Sequence, residues 1–486
     1  MQRLKILFIS AEVAPFAKAG GLADVCGSLP KALAALGHDV RVVMPAYQSI
    51  EAAQHSGQSD IRPHSVTLNV PMGDGQVSAG VLESRLPGSD VPIYFIAEWK
   101  RFGERPFIYG YKDDPYRFAF FSRAALDLVV AALDWRPDVV HAHDWHTAPA
   151  IAWLDTTGRH DSRYARIPTV FTVHNLMHQG TTSWHIFHHL GVLAQSLVEE
   201  RKNEVNFMAR GLFHATMLTT VSPTYAREIM GKEGGFGLDK LLHYRHFDIH
   251  GILNGLDYEV WNPATDRHLA ATYDAATVER RAANKRALQE RAGLAVRDDV
   301  PLVAMVTRLD PQKGLDITGH VLHLLLNQHA GEAQCVVLGA GYPQYENMMR
   351  HFSWHHQGRM AAFIGYDPAL APLIYAGSDI FLMPSLFEPC GLGQLIAMRY
   401  GSVPLVRTTG GLADTVRHMV TGFTFSDYSR DHFWHAMMEA LYIYRVDKES
   451  WRSIQHKGMT SDFSWETSAR AYQQVYEWAM ARVRGW

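Results

Sequence analysis

A short apolar run, Leu4 to Ser10, leads through Lys18-Ala19-Gly20-Gly21-Leu22-Ala23-Asp24 into an apolar-periodic stretch from about Leu22 to Leu36. A second apolar run, Asp39 to Pro45, follows at once. Strand, glycine loop, helix and strand in this order predict a parallel βαβ unit with a right-handed crossover, which commits the chain to an α/β sheet. Paired glycines allow a tight turn with backbone N–H groups open to a ligand. A helix starting there adds uncapped N–H donors and the positive end of its dipole, an environment suited to phosphate. Lys18, just upstream, supplies a mobile positive charge. An isolated Gly-Gly is equally a structural turn. The run is echoed, however, by Thr409-Gly410-Gly411-Leu412-Ala413-Asp414 after the apolar segment Val403 to Val406. One such loop in each half of the chain points to two loops closing on one anionic ligand.

At 486 residues the chain exceeds one ordinary core, which predicts two or three domains. With 47% hydrophobic and 20% charged residues and no low-complexity block, it has the composition of a soluble globular protein. A net charge of −3, with no basic stripe or tail, predicts neither nucleic acid nor an anionic membrane as partner. No apolar stretch approaches the ~20 residues that cross a bilayer. Glu12 cuts short the signal-like run Ile6-Leu7-Phe8-Ile9, so a buried first strand is the better reading. Cys26, Cys335 and Cys390 lie far apart, odd in number and without metal-type spacing, which predicts free thiols and a cytoplasmic location.

Further along, Val66 to Val70, a Gly-Asp-Gly turn and Pro92 to Ile96 read as hairpin material, and Trp99 to Tyr116 as an aromatic loop. A helix from about Tyr116 to Leu133 precedes the strand Asp138 to Ala142. His141-Ala142-His143-Asp144-Trp145-His146 has some likeness to the His-x-His-x-Asp-His run of zinc hydrolases. The aspartate falls one position early and no compact partner cluster follows, so no metal site is expected. Asp144 and His146 lie instead just past the carboxyl end of a parallel strand, where open α/β sheets bind ligands, while His141 reads as a structural histidine. The strand Pro168 to Val173 ends likewise in His174-Asn175, and Met217 to Val221 runs into a Ser222-Pro223 helix start. Asn254-Gly255 marks a turn at the end of this half.

A second βαβ series opens at Leu302 to Val306 and leads to Arg308 and Lys313 on one loop. A planar guanidinium and a compact ammonium form a clamp suited to a diphosphate, although exposed basic residues in a turn give the same pattern. Strands from Cys335 to Leu338, Ala362 to Ile364 and Ile380 to Met383 follow. Gly339-Ala340-Gly341 lacks the third glycine of a dinucleotide fingerprint and is discounted. In Glu388-Pro389-Cys390-Gly391-Leu392-Gly393, a carboxylate stands beside glycines at a helix start, a combination fitted to a sugar nucleotide. The final helix is expected from about Trp465 to Arg482, after the break Asp462-Phe463-Ser464.

Taken together, these runs resemble bacterial glycogen synthases and plant starch synthases, a retaining glycosyltransferase family. The likeness rests on Lys18 to Leu22, His143 to His146, Thr172 to Asn175, Val221 to Ala226, Asn254-Gly255, Arg308-Leu309 with Gln312-Lys313-Gly314, Glu388 to Leu392 and Thr409 to Asp414, in family order along nearly the whole chain. Ala19 stands where many members have threonine or valine, and Gly393 where many have threonine.

The resemblance implies an α/β fold of two facing Rossmann-like domains (GT-B type) with the active site in the inter-domain cleft. Residues 1–256 would form the N-terminal domain, carrying the acceptor side and the donor-phosphate loop. Residues 257–463 would bind the nucleotide sugar, and 464–486 would form a helix packing back on the first domain. The implied activity is glucosyl transfer with retention from ADP-glucose to the non-reducing end of an α-1,4-glucan, without cofactor or metal. Glu388, Arg308, Lys313, His174 and Lys18 would be catalytic. Gly20, Gly21, Asp24, Asp144, Asn175, Asn254, Cys390, Gly391, Leu392, Gly393, Gly410 and Gly411 would bind substrate. Lys18 and the Gly20-Gly21 turn would face the donor phosphates, Arg308 and Lys313 would grip the leaving diphosphate, and Glu388, His174, Asp144 and Asn175 would hold glucose hydroxyls. The competing readings are a UDP-glucose-dependent synthase, a sucrose-phosphate or trehalose-type synthase of the same architecture, a non-catalytic glucan-binding protein and a zinc hydrolase.

Overall fold

The structure, a computed structural model, describes residues 3–56, 60–191, 204–327 and 333–485. The chain divides into two compact units, Met1–Gly255 with Trp465–Trp486, and Leu256–Ser464.

The first unit holds strands β1 (Lys5–Ile9), β2 (Asp39–Pro45), β3 (Arg62–Met72), β4 (Gly75–Arg85), β5 (Pro92–Ala97), β6 (Val139–His143), β7 (Thr169–Val173), β8 (Thr181–Ser183), β9 (Glu204–Asn206), β10 (Met217–Thr220) and β11 (Ile249–Gly251). Nine of them form one sheet in the order β11-β10-β7-β6-β1-β2-β5-β4-β3, and β8 pairs with β9. The hairpin expected between Ser65 and Ala97 is three strands rather than two. The intervening β4 alternates Val77, Ala79 and Val81 with polar residues and pairs antiparallel with both β3 and β5. β5 then joins β2 in parallel. The aromatic segment after it contains a short π-helical turn, Trp99–Gly103, and the helix Asp114–Leu126 follows.

β1 pairs with β2 on one side and β6 on the other, both in parallel. Its two neighbours come from crossovers in opposite directions, so a topological switch point lies at the carboxyl ends of β1 and β6. Loops at such ends diverge and leave room for a ligand.

The second unit holds β12 (Leu302–Val306), β13 (Gln334–Gly339), β14 (Met360–Ile364), β15 (Ile380–Met383), β16 (Val403–Arg407) and β17 (Phe423–Phe425). They form one all-parallel sheet in the order β14-β13-β12-β15-β16-β17. That is the doubly wound Rossmann order, with its switch point between β12 and β15. Both faces are covered, as a parallel sheet requires. Val303 and Met305 of β12 enter one apolar cluster, and Leu302 and Ala304 the other. The pair Gly339 and Gly341 is packing rather than fingerprint: a Cβ at either would collide with the backbone carbonyl of Thr307 or Leu309.

The chain returns to the first unit through Ser464, and the helix Trp465–Arg484 packs there. It buries Ala469, Tyr472, Val475, Tyr476, Ala479 and Met480. Ser468 Oγ donates to the Leu253 carbonyl (2.6 Å), and Arg482 pairs with Asp248.

Candidate active site

In the second unit, the loops after β12 and β15 are pressed together at the switch point. Gly314 has φ of 72°, and a Cβ there would collide with the Pro384 carbonyl. Leu386 N–H donates to the Gln312 carbonyl (2.8 Å), and Gln312 Nε2 donates to the Phe387 carbonyl (3.1 Å). This close approach sets Lys313 Nζ 2.7 Å from Glu388 Oε2, an oxygen that also accepts from Ser385 Oγ at 2.9 Å. Glu388 is 6% exposed, so the ion pair is largely shielded from water. The two side chains were expected to serve different parts of a donor, and they instead touch. An ammonium has three protons, so Lys313 can neutralise Glu388 and still donate elsewhere. Arg308 lies in the open, its side chain 59% exposed, 3.2 Å from Asp310 Oδ2 and 3.3 Å from Gln312 Oε1.

Cys390 to Gly393 form the other side of this loop. Gly391 has φ of 77°, a left-handed conformation suited to glycine. Buried Gln394 supports the loop from beneath, donating to the carbonyls of Cys390 and Gly391 at 3.0 Å each and to Thr415 Oγ1 at 3.2 Å. A Cβ at Gly393 would press on Met383 Sδ and Phe381 at 3.2 Å.

The second Gly-Gly pair differs from the expectation that its N–H groups face phosphate. Gly410 has φ of 43°, and a Cβ on it would collide with the Glu388 carbonyl. Gly411 N–H donates to the Glu388 and Pro389 carbonyls, both at 3.1 Å. The Gly411 donor is therefore used within the protein, and the pair acts as the floor on which the Glu388 loop sits.

In the first unit, the loop after β1 is organised by Glu12, a residue that the sequence presented only as a break in an apolar run. Its carboxylate is 4% exposed. Oε2 accepts from Ala19 N–H (2.5 Å) and Gly20 N–H (2.9 Å), and Oε1 accepts from Tyr109 Oη (2.6 Å). Gly20 N–H, one of the groups expected to face phosphate, is thus held by Glu12. The helix Gly21–Ala35 starts immediately afterwards with no side-chain cap on its first turn. Gly20 has φ of −150°, which any residue adopts, and a Cβ on Gly20 or Gly21 would meet nothing within 4 Å. Neither glycine is required by the backbone or by packing, in contrast to Gly410 and Gly411. Lys18 Nζ pairs with Asp24 Oδ1 at 2.6 Å, with side-chain exposures of 47% and 28%.

Past β6 and β7, Asp144 adopts φ of 57° and accepts from His174 N–H at 2.7 Å. Burial pushes the Asp144 carboxyl up to about 7, against the opposing backbone hydrogen bonds from His174 and Asn175. Burial drives the His174 imidazole down to about 3. Asn175 Oδ1 accepts from Met177 N–H at 3.1 Å. His143 Nδ1 lies 3.0 Å from His174 Nε2. His141 bridges Tyr476 Oη (2.8 Å) and Thr172 Oγ1 (2.6 Å), a structural role. His146 is buried against Tyr109, with ring centroids 4.7 Å apart. Asn254 is buried beyond β11, its Oδ1 without a partner among the described residues. Among the described residues, no group of three or more His, Cys, Asp or Glu is arranged to hold a metal ion.

The structure therefore gathers Arg308, Lys313, Glu388 and Cys390–Gly393 at one switch point, over Gly410 and Gly411. It gathers Lys18, Gly20, Gly21 and Asp24 after β1, and Asp144, His174 and Asn175 after β6 and β7. Ser385, Gln394, Glu12, Tyr109 and His143 join them, none having been assigned a site role from the sequence. Ser385 and Gln394 flank a recognised motif, whereas nothing local to Tyr109 tied it to Glu12.

Residues 5–244 match the family profile described as starch synthase catalytic domain, and residues 288–449 that described as glycosyl transferases group 1. The chain is 43% identical to a glycogen synthase of Moorella thermoacetica over 99% of its own length and 98% of the relative's. It is 46% identical to a glycogen synthase of Anaeromyxobacter sp. over 97% and 99%. The solved catalytic domain of starch synthase IV from Arabidopsis thaliana, bound to ADP and acarbose, matches with a TM-score of 0.91 and 34% identity, covering 99% of this chain and 100% of that one. Two α/β domains with parallel sheets place the chain in the GT-B class of glycosyltransferase fold. The chain belongs to the glycogen synthase and starch synthase family.

Proposed function

We propose that the chain is an ADP-glucose:α-1,4-glucan glucosyltransferase that lengthens glycogen-type chains with retention. The observation that carries this reading is its likeness to glycogen synthases from end to end, with every charged residue of the recognised motifs present. Over the reaction, the bond between glucose C1 and the diphosphate oxygen is broken and a bond from C1 to the 4-hydroxyl oxygen of the chain end is formed on the same face of the sugar. The hydroxyl proton passes to the departing ADP. Negative charge gathers on the diphosphate, so fixed cations act most strongly in the transition state. Arg308, exposed beside Asp310, and Lys313, which has protons beyond the one facing Glu388, are assigned this task. Lys18 and the uncapped start of the helix Gly21–Ala35 are assigned to the same phosphates, and the open space over Gly20 and Gly21 suits a ligand approaching the backbone. His174, Asp144, Asn175 and Glu388 are assigned to glucose hydroxyls, and the loop from Cys390 to Gly393 to the donor.

Donor competition between ADP-glucose and UDP-glucose on glycogen, with and without EDTA, tests the reading. Preferential incorporation from ADP-glucose that persists in EDTA is expected. Preference for UDP-glucose would move the chain to the other donor class, and loss in EDTA with rescue by a divalent ion would overturn the assignment of charge neutralisation to Arg308 and Lys313.

A further inference from the structure

His143 carries no role in the assignments above, yet it is the residue against which His174 rests. Burial keeps both rings neutral, His174 down to about 3 and His143 well below the ordinary histidine range. Where His143 Nδ1 and His174 Nε2 meet at 3.0 Å, one neutral ring must donate and the other accept. The far side of His143 decides which. Its Nε2 is buried without a hydrogen-bond partner among the described residues. The ring stacks on Phe8, with centroids 5.3 Å apart, and lies 4.1 Å from the His141 ring, both of whose nitrogens are already engaged. A proton on Nε2 would be an orphaned buried donor, rarer in folded proteins than an unused acceptor. The proton therefore belongs on Nδ1 of His143.

We propose that His143 is a positioning residue that locks His174 in its Nδ1–H tautomer, so that His174 faces the sugar as a hydrogen-bond donor. His174 makes no other side-chain hydrogen bond among the described residues, which leaves Nδ1 for that purpose. A glucose hydroxyl is then read through its oxygen lone pair. This proposal rests on the assignment of His174 to glucose.

Ring ¹⁵N spectra of the histidine-labelled full chain, free of substrate, read the tautomer directly. His174 is expected as Nδ1–H in the native protein. In His143→Phe it should revert to Nε2–H, the form that an unconstrained histidine prefers. Loss of one oriented hydrogen bond should lower kcat/KM about tenfold. His143→Asn, whose amide N–H stands near the position of Nδ1, should recover most of that loss. An Nε2–H signal for His174 in the native chain overturns the proposal, even if His143→Phe does not fold. Equal activity in the Phe and Asn variants also overturns it. A native Nδ1–H signal in a chain that transfers no glucose would overturn the functional reading and still support the tautomer lock.

Discussion

Arg308 and Lys313, both proposed to act on the leaving diphosphate, differ in what they contribute to the fold. Arg308 is exposed and its pairing with Asp310 is worth less than about 1 kcal/mol to folding, whereas Lys313 neutralises a shielded carboxylate. Arg308→Ala should therefore lower kcat about a hundredfold at nearly unchanged Tm. Lys313→Ala should lower kcat similarly and also cost about 3–5 kcal/mol of stability, because Glu388 is left buried without its cation. Thermal melts beside steady-state kinetics check both, and equal melting temperatures for the two variants would contradict the ion pair. The buried rings of the first unit make a second prediction. The folded state holds His141, His143, His146 and His174 below the ordinary 6.5, so the stability they contribute is complete above that value and is lost as pH falls. Asp144, pushed up from 3.8 to about 7, acts in the opposite sense, favouring the fold below about pH 4 and losing that contribution as pH rises towards 7. At pH 5, four histidines each gain a proton on unfolding and one carboxyl gives one up, a net uptake of about three from this cluster. Calorimetry in buffers of differing ionisation enthalpy measures it, and His143→Asn should reduce the uptake by about one.

At the scale of elements, the loop after β1 and the final helix have distinct supports. Tyr109 donates to the shielded Glu12 carboxylate that holds Ala19 and Gly20. Tyr109→Phe should destabilise the first unit by about 2 kcal/mol, as loss of a hydrogen bond to a charged group does, and raise the donor KM more than it lowers kcat. A variant with lowered kcat and unchanged KM would contradict the role assigned to that loop. Among the described residues, the helix Trp465–Arg484 buries seven apolar side chains within the first unit, Trp465, Ala469, Tyr472, Val475, Tyr476, Ala479 and Met480. At about 1.5–3 kcal/mol for each large one, their loss is comparable to a whole domain's stability. A chain ending at Ser464 should lose cooperative melting of its first unit; retention of that transition would contradict the packing. Element by element, the central parallel strands were legible because each is a short apolar run ending in polar or glycine residues. β4 was not, since alternating Val77, Ala79 and Val81 among polar neighbours is a weak signal when the strand pairs near a sheet edge.

For the whole molecule, the positions of the motifs were legible and their partnerships were not. Lys313 and Glu388 are 75 residues apart, Glu12 and Tyr109 97, and His141 and Tyr476 335. Local periodicity says nothing about such pairs, which follow from the order of strands around β1 and β12. The two Gly-Gly-Leu-Ala-Asp runs make the same point: identical in sequence, one lies under open space and the other is packed beneath the Glu388 loop. Glucan elongation from ADP-glucose is checked by incubating the full chain with ADP-glucose and a maltooligosaccharide of defined length, then following products by mass spectrometry and digestion with an α-1,4-specific exo-hydrolase. Products longer by whole glucose units are expected, with matching release of ADP and complete digestion. Release of free glucose without longer chains, or no turnover of ADP-glucose by the folded protein, would contradict it.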